Sequence, residues 1–170
     1  MSQSPLIPLS QREMFSHFDE DCLKRFEDFL EIVEYPDGKE LTTMGLNSLE
    51  DPNALFILME GEVDVFASQA DPTQVPIVRT MRAGEVLGLV SLMEGGQYTA
   101  SCITRESCRV ALLSKEHLAR IRDEDTPLAA AIEFMIAHQL ARDLRMCNRR
   151  LANALQDGID PDSLPSYLTR

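Results

Sequence analysis

The chain has 170 residues, of which 44 % are apolar, and this predicts one globular domain that buries its own core. Acidic residues outnumber basic residues by 28 to 16, and the formal net charge of −12 disfavours general nucleic-acid binding because phosphate backbones are repelled. Residues 1–10 contain no secretory signal pattern, and no segment reaches the roughly 18 apolar residues that a membrane span needs. We therefore expect a cytoplasmic protein without a membrane partner.

The cysteines and histidines do not form a metal-binding pattern. Four cysteines are scattered without CxxC spacing, and three single histidines add no ligand spacing. In a reducing compartment, Cys22, Cys102, Cys108 and Cys147 are expected to be buried thiols. The chain also lacks a nucleophile–base motif and a GxxxxGK[ST] loop, so we expect neither an enzyme nor a cofactor.

The first two thirds of the chain read as helix followed by many short strands. Ser10–Leu30 has apolar residues at helical spacing, with Asp19 or Asp21 as a cap for its second part. Glu31–Gly38 alternates and then breaks at a Pro-Asp-Gly turn. Further strand-like runs are Leu41–Thr43, Leu55–Glu60, Glu62–Phe66, Pro76–Met81, Tyr98–Ile103 and Cys108–Ser114. Gly61 lies between two of these runs and predicts a tight hairpin, and the whole pattern predicts a sandwich or barrel.

The last third reads as helical. A short helix is predicted to begin at Ser114, and Thr126 is predicted to cap a second helix with Pro127 at its first position. No Gly or Pro follows until after Gln156, so this helix would span roughly 45 Å. Its first half carries a broad apolar face, which we expect to pack on the β domain, formed by Leu128, Ile132, Met135 and Ile136.

The second half of the long helix carries a heptad-like seam. Apolar residues alternate three and four apart, as the contact positions of a coiled coil do. The seam consists of Ala137, Leu140, Leu144, Cys147, Leu151 and Ala154. We expect it to pair with the same helix of a second copy, which would make the protein a homodimer. The alternative is a helix that lies along its own domain.

These patterns divide the chain into four parts. Residues 1–9 are predicted to be a flexible N-terminus, residues 10–126 a β domain with N-terminal helices, residues 127–156 a dimerisation helix, and residues 157–170 a tail. Inside the β domain, Gly84–Ser101 reads GEVLGLVSLMEGGQYTAS and predicts a short strand, one helical turn, a tight turn and another strand.

The element order and several local stretches resemble the cyclic nucleotide-binding domain family, which includes the catabolite activator protein. The stretches are YPDGKELTTMG, LFILMEGEVDVF, GEVLGLVSLMEGG and CRVALLSKEHLARI, and the resemblance covers about Met14 to Gln156. It implies a mainly β fold, a jelly-roll-like double-stranded β-helix (a β-roll) with short N-terminal helices and a long C-terminal helix.

The resemblance also implies a ligand cassette, and this chain departs from it. In ligand-binding members a Glu follows the cassette glycine and holds the ribose, and an Arg pairs with the cyclic phosphate. Here Leu89 follows Gly88, and Thr99 stands at the Arg position. The corresponding degenerate cassette comprises Gly88, Leu89, Val90, Ser91, Tyr98, Thr99, Ala100 and Ser101. Cys147 and Asn148 match the turn of the long helix that faces the purine.

These observations predict a non-enzymatic regulatory module with impaired or absent cAMP and cGMP binding, which acts as a homodimer through a protein partner. Burying a phosphate without its counter-ion is costly, which supports this reading. The alternative is a sensor of another small, nucleotide-type ligand. A DNA-binding transcription regulator is disfavoured, because only residues 157–170 follow the long helix and they contain no helix-turn-helix.

Overall fold

The computed structural model describes residues 13–45, 54–66 and 78–156. Within these residues the strands are β1 Glu31–Tyr35, β2 Glu40–Thr42, β3 Leu55–Glu60, β4 Glu62–Phe66, β5 Arg79–Arg82, β6 Val86–Leu87, β7 Ser101–Thr104 and β8 Cys108–Leu113. The helices are α1 Glu20–Glu27, α2 Leu89–Glu94, α3 Lys115–Glu124 and α4 Thr126–Gln156, and a 3₁₀ turn at Glu13–Phe15 precedes them.

The strands form two four-stranded antiparallel sheets, with orders β1-β8-β3-β6 and β2-β7-β4-β5. Among the described strands, successive ones alternate between the two sheets except at the step from β4 to β5. This alternation is the β-roll architecture, so the predicted mainly β fold with flanking helices is confirmed. The predicted extents of β3 and β4 are also confirmed.

The predicted hairpin at Gly61 is wrong. The strands on either side of this glycine lie in different sheets, since β3 pairs with β8 while β4 pairs with β7 and β5. Gly61 has φ +93°, and a Cβ there would lie 2.6 Å from Cys108 Sγ and 2.8 Å from the Ser107 carbonyl oxygen. The glycine therefore carries the chain from one sheet to the other beside the start of β8.

Strand β3 separates two hydrophobic cores. Its residues Leu55 to Met59 are all buried. Leu55 and Ile57 face the core that the helices cover, whereas Phe56 and Leu58 face the core between the two sheets. A strand with both faces covered reads as a continuous apolar run, which is what LFILM shows.

Helices α1 and α3 each begin at a side chain that accepts one of their first backbone N–H groups. Asp19 Oδ1 accepts a hydrogen bond from the backbone N–H of Cys22 at 2.7 Å and caps α1, as predicted. The segment before it is a 3₁₀ turn rather than a continuous helix from residue 10. Ser114 Oγ accepts from the backbone N–H of His117 at 3.0 Å and caps α3, so the helix predicted to begin at Ser114 begins one residue later, at Lys115.

The predicted cap of the long helix is wrong by one residue. Asp125 Oδ1, not Thr126, accepts the backbone N–H of Leu128, at 3.0 Å. Asp125 is the single residue between α3 and α4, and its other carboxylate oxygen lies 2.8 Å from Arg25 Nε. The carboxylate therefore starts α4 and also ties it to α1.

The first half of α4 packs on the β domain, as predicted. Its apolar face joins the helix-covered core together with residues of α1 and α3. The four predicted residues on this face, Leu128, Ile132, Met135 and Ile136, are each at most 2 % exposed.

We expect Asp125→Ala to lower the free energy of unfolding by about 1 kcal/mol, because the N-cap hydrogen bond is lost. Thr126→Ala is the matched control and should change stability little, since Thr126 is exposed and already lies inside the helix. Asp125→Asn keeps a capping oxygen and should lose less than Asp125→Ala. Urea denaturation followed by circular dichroism measures all three, and a larger loss for Thr126→Ala than for Asp125→Ala would contradict the assignment.

Candidate ligand-binding site

The first half of the predicted cassette turns sharply at Gly88. This residue has φ +84°, and a Cβ there would lie 2.3 Å from the carbonyl oxygen of Ala54, so no side chain fits. The Gly88 carbonyl accepts the backbone N–H of Leu92 at 2.9 Å and starts α2, which ends at Gly95 with φ +71°. The sequence of strand, helix, turn and strand predicted for Gly84–Ser101 is therefore present, with a helix of six residues.

Leu89 is a core residue as well as a cassette residue. It is 5 % exposed and belongs to the helix-covered core with Val86 and Leu92. Its side chain also lines the cavity described below. The family resemblance implies a carboxylate at this position. Leu89 instead forms part of the apolar wall of the cavity.

The second half of the cassette uses its polar groups to hold the sheet. The Tyr98 carbonyl accepts the backbone N–H of Gly45 at 2.9 Å, and the Ala100 carbonyl accepts Thr42 Oγ1–H at 3.0 Å. Because these bonds lie outside the strand ladder, β7 begins at Ser101 instead of at residue 98. The Ser101 hydroxyl oxygen accepts the backbone N–H of Met44 at 3.0 Å.

The two side chains between Gly95 and Ala100 that could meet a ligand differ in exposure. The Tyr98 side chain is 4 % exposed, and its ring centroid lies 6.4 Å from that of Phe56, in the core between the sheets. Thr99 is exposed. This end of the cassette therefore presents an aromatic face and a hydroxyl, and it presents no cation.

A cavity of about 230 Å³ lies between the β-roll and the second half of α4. Its walls are mostly apolar and include Val65, Met81, Val86, Leu140 and Met146. The predicted cassette residues that line it are Gly88, Leu89, Val90, Ser91, Tyr98, Thr99 and Ala100. Of the other predicted site residues, Cys147 lines the cavity, whereas Ser101 and Asn148 do not.

Three charged residues that the sequence reasoning missed also line the cavity, namely Arg79, Asp143 and Arg150. Arg79 comes from β5 and its Nη2 lies 3.4 Å from Glu85 Oε1, while the other two come from α4. Arg79 could have been found from its spacing in the strand. Residues two apart in a strand share a face, and Met81, two residues later, is buried. Asp143 lies three residues after Leu140, on the same face of the helix.

Asp143 is the carboxylate of this cavity. Burial raises its pKa, and the attraction of Arg79 and the hydrogen bond from Gln139 oppose that rise. Gln139 Nε2 donates to Asp143 Oδ1 at 3.0 Å, and Gln139 itself is 8 % exposed. A carboxylate desolvated in a cleft beside a named charge partner marks a candidate binding group.

Three of the four cysteines are buried thiols, and Cys108 Sγ–H donates to the Glu62 carbonyl oxygen at 3.2 Å. Burial raises the pKa of Cys102 to about 11, and it also raises the pKa values of Cys22 and Cys108, so these thiols stay protonated at neutral pH. Cys147 was expected to be buried as well, and it is exposed. The reason is that the second half of α4 projects past the helix-covered core.

The predicted seam faces two directions. Leu140 and Cys147 line the cavity, whereas Ala137 is exposed and Leu144 is 61 % exposed. Leu151 is half-buried, and the side chain of Ala154 lies outside the described residues.

The comparison with protein families identifies the class. The model of the cyclic nucleotide-binding domain matches residues 32–125, more than half of the chain, and the chain belongs to that family. The β-roll and the place of the cavity against the long helix agree with this assignment. No curated protein sequence is significantly similar to this chain.

Solved structures confirm the fold. A cyclic nucleotide-binding domain from Methylobacillus flagellatus KT is 20 % identical with a TM-score of 0.73, over 95 % of this chain and 84 % of that one. The catabolite activator protein of Thermus thermophilus is 26 % identical with a TM-score of 0.67, and the match covers 82 % of this chain but only 61 % of that chain. The c-di-GMP-responsive regulator CLP of Xanthomonas campestris is 23 % identical with a TM-score of 0.63, over 86 % and 76 % of the two chains.

Two further features are absent from residues 13–45, 54–66 and 78–156. No helix there is both long and apolar enough to cross a bilayer. The same residues contain no group of three or more His, Cys, Asp or Glu side chains placed to hold a metal ion. The predicted flexible N-terminus and the predicted tail lie outside the described residues.

We expect Gly88→Ala to destabilise the protein more than Gly38→Ala. Both glycines have positive φ, so both substitutions carry a backbone strain of roughly 1–3 kcal/mol. Only at Gly88 does the new Cβ also meet a backbone oxygen, because nothing lies within 4 Å of a Cβ at Gly38. Chemical denaturation of the two variants measures the difference, and equal losses of stability would contradict this account of the turn.

Proposed function

We propose that this chain is a non-enzymatic regulatory module of the cyclic nucleotide-binding fold that does not bind cAMP or cGMP in the way typical of the family. The observation that carries the proposal is the cassette itself: the core residue Leu89 stands where the family has a Glu, and the exposed residue Thr99 stands where it has an Arg. A phosphate in this closed roll would lack the counter-ion at the position where the family provides one, and an unpaired buried charge is costly.

The cations of the cavity do not replace that counter-ion. Arg79 is already ion-paired with Glu85 and lies in the field of Asp143, and Arg150 is exposed on α4. An anionic ligand at the cassette would therefore meet mostly apolar side chains, together with one arginine that is already paired and one that is exposed. This distribution of charge supports weak binding of ordinary cyclic nucleotides.

Isothermal titration of the unmodified chain with cAMP and cGMP tests this proposal, and binding of either at low-micromolar affinity would overturn it. Thr99→Arg supplies the missing guanidinium at the cavity wall. We expect it to increase cyclic-nucleotide affinity by about tenfold or more, less than a buried pair provides because the position is exposed. Thr99→Gln is the uncharged control. Equal affinities of the two variants would show that charge is not what the cassette lacks.

We further propose that the module acts as a homodimer through α4 and on a protein partner. The second half of α4 exposes the large apolar side chains of Leu144 and Leu155, which lie about three turns apart and therefore on the same face of the helix. Apolar side chains repeated along one exposed helix support pairing with a second helix.

Sedimentation at micromolar concentration tests the dimer. Leu144→Glu places a like charge in both helices of the pair, and we expect it to yield a monomer of 19.1 kDa. Ala152→Glu adds the same charge at an exposed residue that is not part of the seam, and it should leave the dimer intact. A monomeric unmodified chain would contradict the proposal.

A second candidate function is a sensor for a small ligand other than a cyclic nucleotide. The observation that favours it is the cavity of about 230 Å³, whose mostly apolar walls carry Arg79 from β5 and Asp143 from the long helix. Ligand sites are usually apolar clefts with a few convergent polar groups, and this cavity has that composition.

A further inference from the structure

The exposed apolar face of α4 continues along the second half of the helix. Leu144 and Leu155 are 61 % and 44 % exposed, and Leu151 between them is half-buried. Ala141 is exposed on the same side, because residues three and four apart share a helix face. We call Ala141, Leu144, Leu151 and Leu155 the exposed stripe. None of the four lines the cavity, so the stripe is a surface separate from the candidate ligand site.

A row of arginines follows the edge of the exposed stripe. Arg145 lies four residues after Ala141, and Arg149 lies four residues after Arg145. Both are exposed, and neither takes part in an ion pair among the residues that the structure describes. From Leu144 to Gln156 the sequence contains no acidic residue, although the whole chain carries a net charge of −12. This end of α4 is therefore a basic and apolar surface on an acidic protein.

The segment that follows α4 has the complementary composition. Residues 157–170 read DGIDPDSLPSYLTR and contain aspartates at 157, 160 and 162. A Gly and then a Pro shortly beyond a helix end are typical of a chain that leaves the helix axis, and this segment has Gly158 and Pro161. Its large apolar side chains are Ile159, Leu164, Tyr167 and Leu168. The segment thus carries both the acidic groups and the apolar groups that would complement the surface of α4.

The segment is also long enough to return along the helix. Leu144 lies roughly 18 Å along the helix axis from Gln156. The eight residues from Gln156 to Leu164 span up to about 26 Å when extended. An antiparallel path can therefore bring Leu164 back to Leu144, and the aspartates before Leu164 pass the arginines on the way.

We propose that residues 157–170 fold back on α4, with their apolar side chains on the exposed stripe and their aspartates beside Arg145 and Arg149. A second copy of α4 also covers the stripe, but it brings the same arginines and no acidic residue after Asp143 to pair with them. The segment supplies both kinds of contact. Because exposed ion pairs contribute little, the apolar contacts carry most of the docking and the charges set its position.

The docked segment covers the face that the proposed dimer uses, so the segment and a second copy compete for it. Only this competition rests on the proposed dimer, whereas the docking itself does not. A segment docked in about nine of ten copies weakens dimerisation by roughly 100-fold, because both copies must release it before they pair. Residues 157–170 would then regulate the association of the module.

A tryptophan in the segment measures the docking directly. The chain contains no Trp, so Tyr167→Trp places a single such fluorophore in the segment of the full chain. We expect acrylamide to quench it severalfold less than the same Trp in a free peptide of residues 157–170, because the docked side chain is shielded by α4. Equal quenching in the chain and in the peptide overturns the proposal.

Substitutions in the Tyr167→Trp background assign the surface. Leu144→Ser removes an apolar contact of the stripe, and we expect it to raise the quenching toward that of the peptide. Met146→Ser is the matched control, since Met146 is 40 % exposed but lies on another face of the helix. Asp160→Asn combined with Asp162→Asn should also raise the quenching. Circular dichroism shows that each variant is folded, and equal effects of Leu144→Ser and Met146→Ser overturn the assignment.

Dilution distinguishes docking within one chain from covering by a second copy. Docking within the chain does not depend on protein concentration, so the Trp should stay protected in samples that sediment as monomers. Protection that disappears as a dimer dissociates overturns this inference and supports the proposed dimer. Protection in a chain that never dimerises supports this inference and overturns only the dimer. Where the dimer forms, Leu164→Ser should strengthen it severalfold, and an unchanged dimer affinity overturns the competition.

Discussion

The close approach of Gly88 to the Ala54 carbonyl is the contact on which the ligand side of the β-roll depends. It lets β6 pair with β3 through Leu87 and Phe56 and then turn at once into α2, whose first residue enters the helix-covered core. A side chain at this glycine would push the two segments apart. The turn is therefore required for folding whether or not a ligand binds. This explains why the glycine and the apolar frame are needed even where Leu89 and Thr99 occupy the two positions at which the family resemblance implies a Glu and an Arg.

The arrangement of the two cores determines where a cavity can form. Strands β3 and β8 are apolar on both faces, so the helices cover one side of their sheet and the second sheet covers the other. The first half of α4 completes the helix-covered core. Its second half lies beside the β2-β7-β4-β5 sheet and the cassette, and the cavity lies between them with charged residues from both β5 and α4.

The sequence predicted local features well and long-range ones poorly. The extents of β3 and β4 followed from apolar runs bounded by Gly61, but the hairpin between them did not form, because pairing with β8 and β7 places the two strands in different sheets. The cassette positions were found through a motif. Arg79 and Asp143 were missed because neither is part of that motif, and they meet only when a strand and a helix far apart in sequence enclose one cavity.

Helix α4 has no Gly or Pro between Leu128 and Gln156, so its second half continues its first without the residues that usually kink a helix. Asp143 lines the cavity, and the next residue, Leu144, is 61 % exposed. A ligand in the cavity and a partner on the exposed apolar face would therefore contact adjacent residues of the same helix. A ligand that shifts α4 when it binds would change the affinity for the partner. The partner would then change the affinity for the ligand by the same factor.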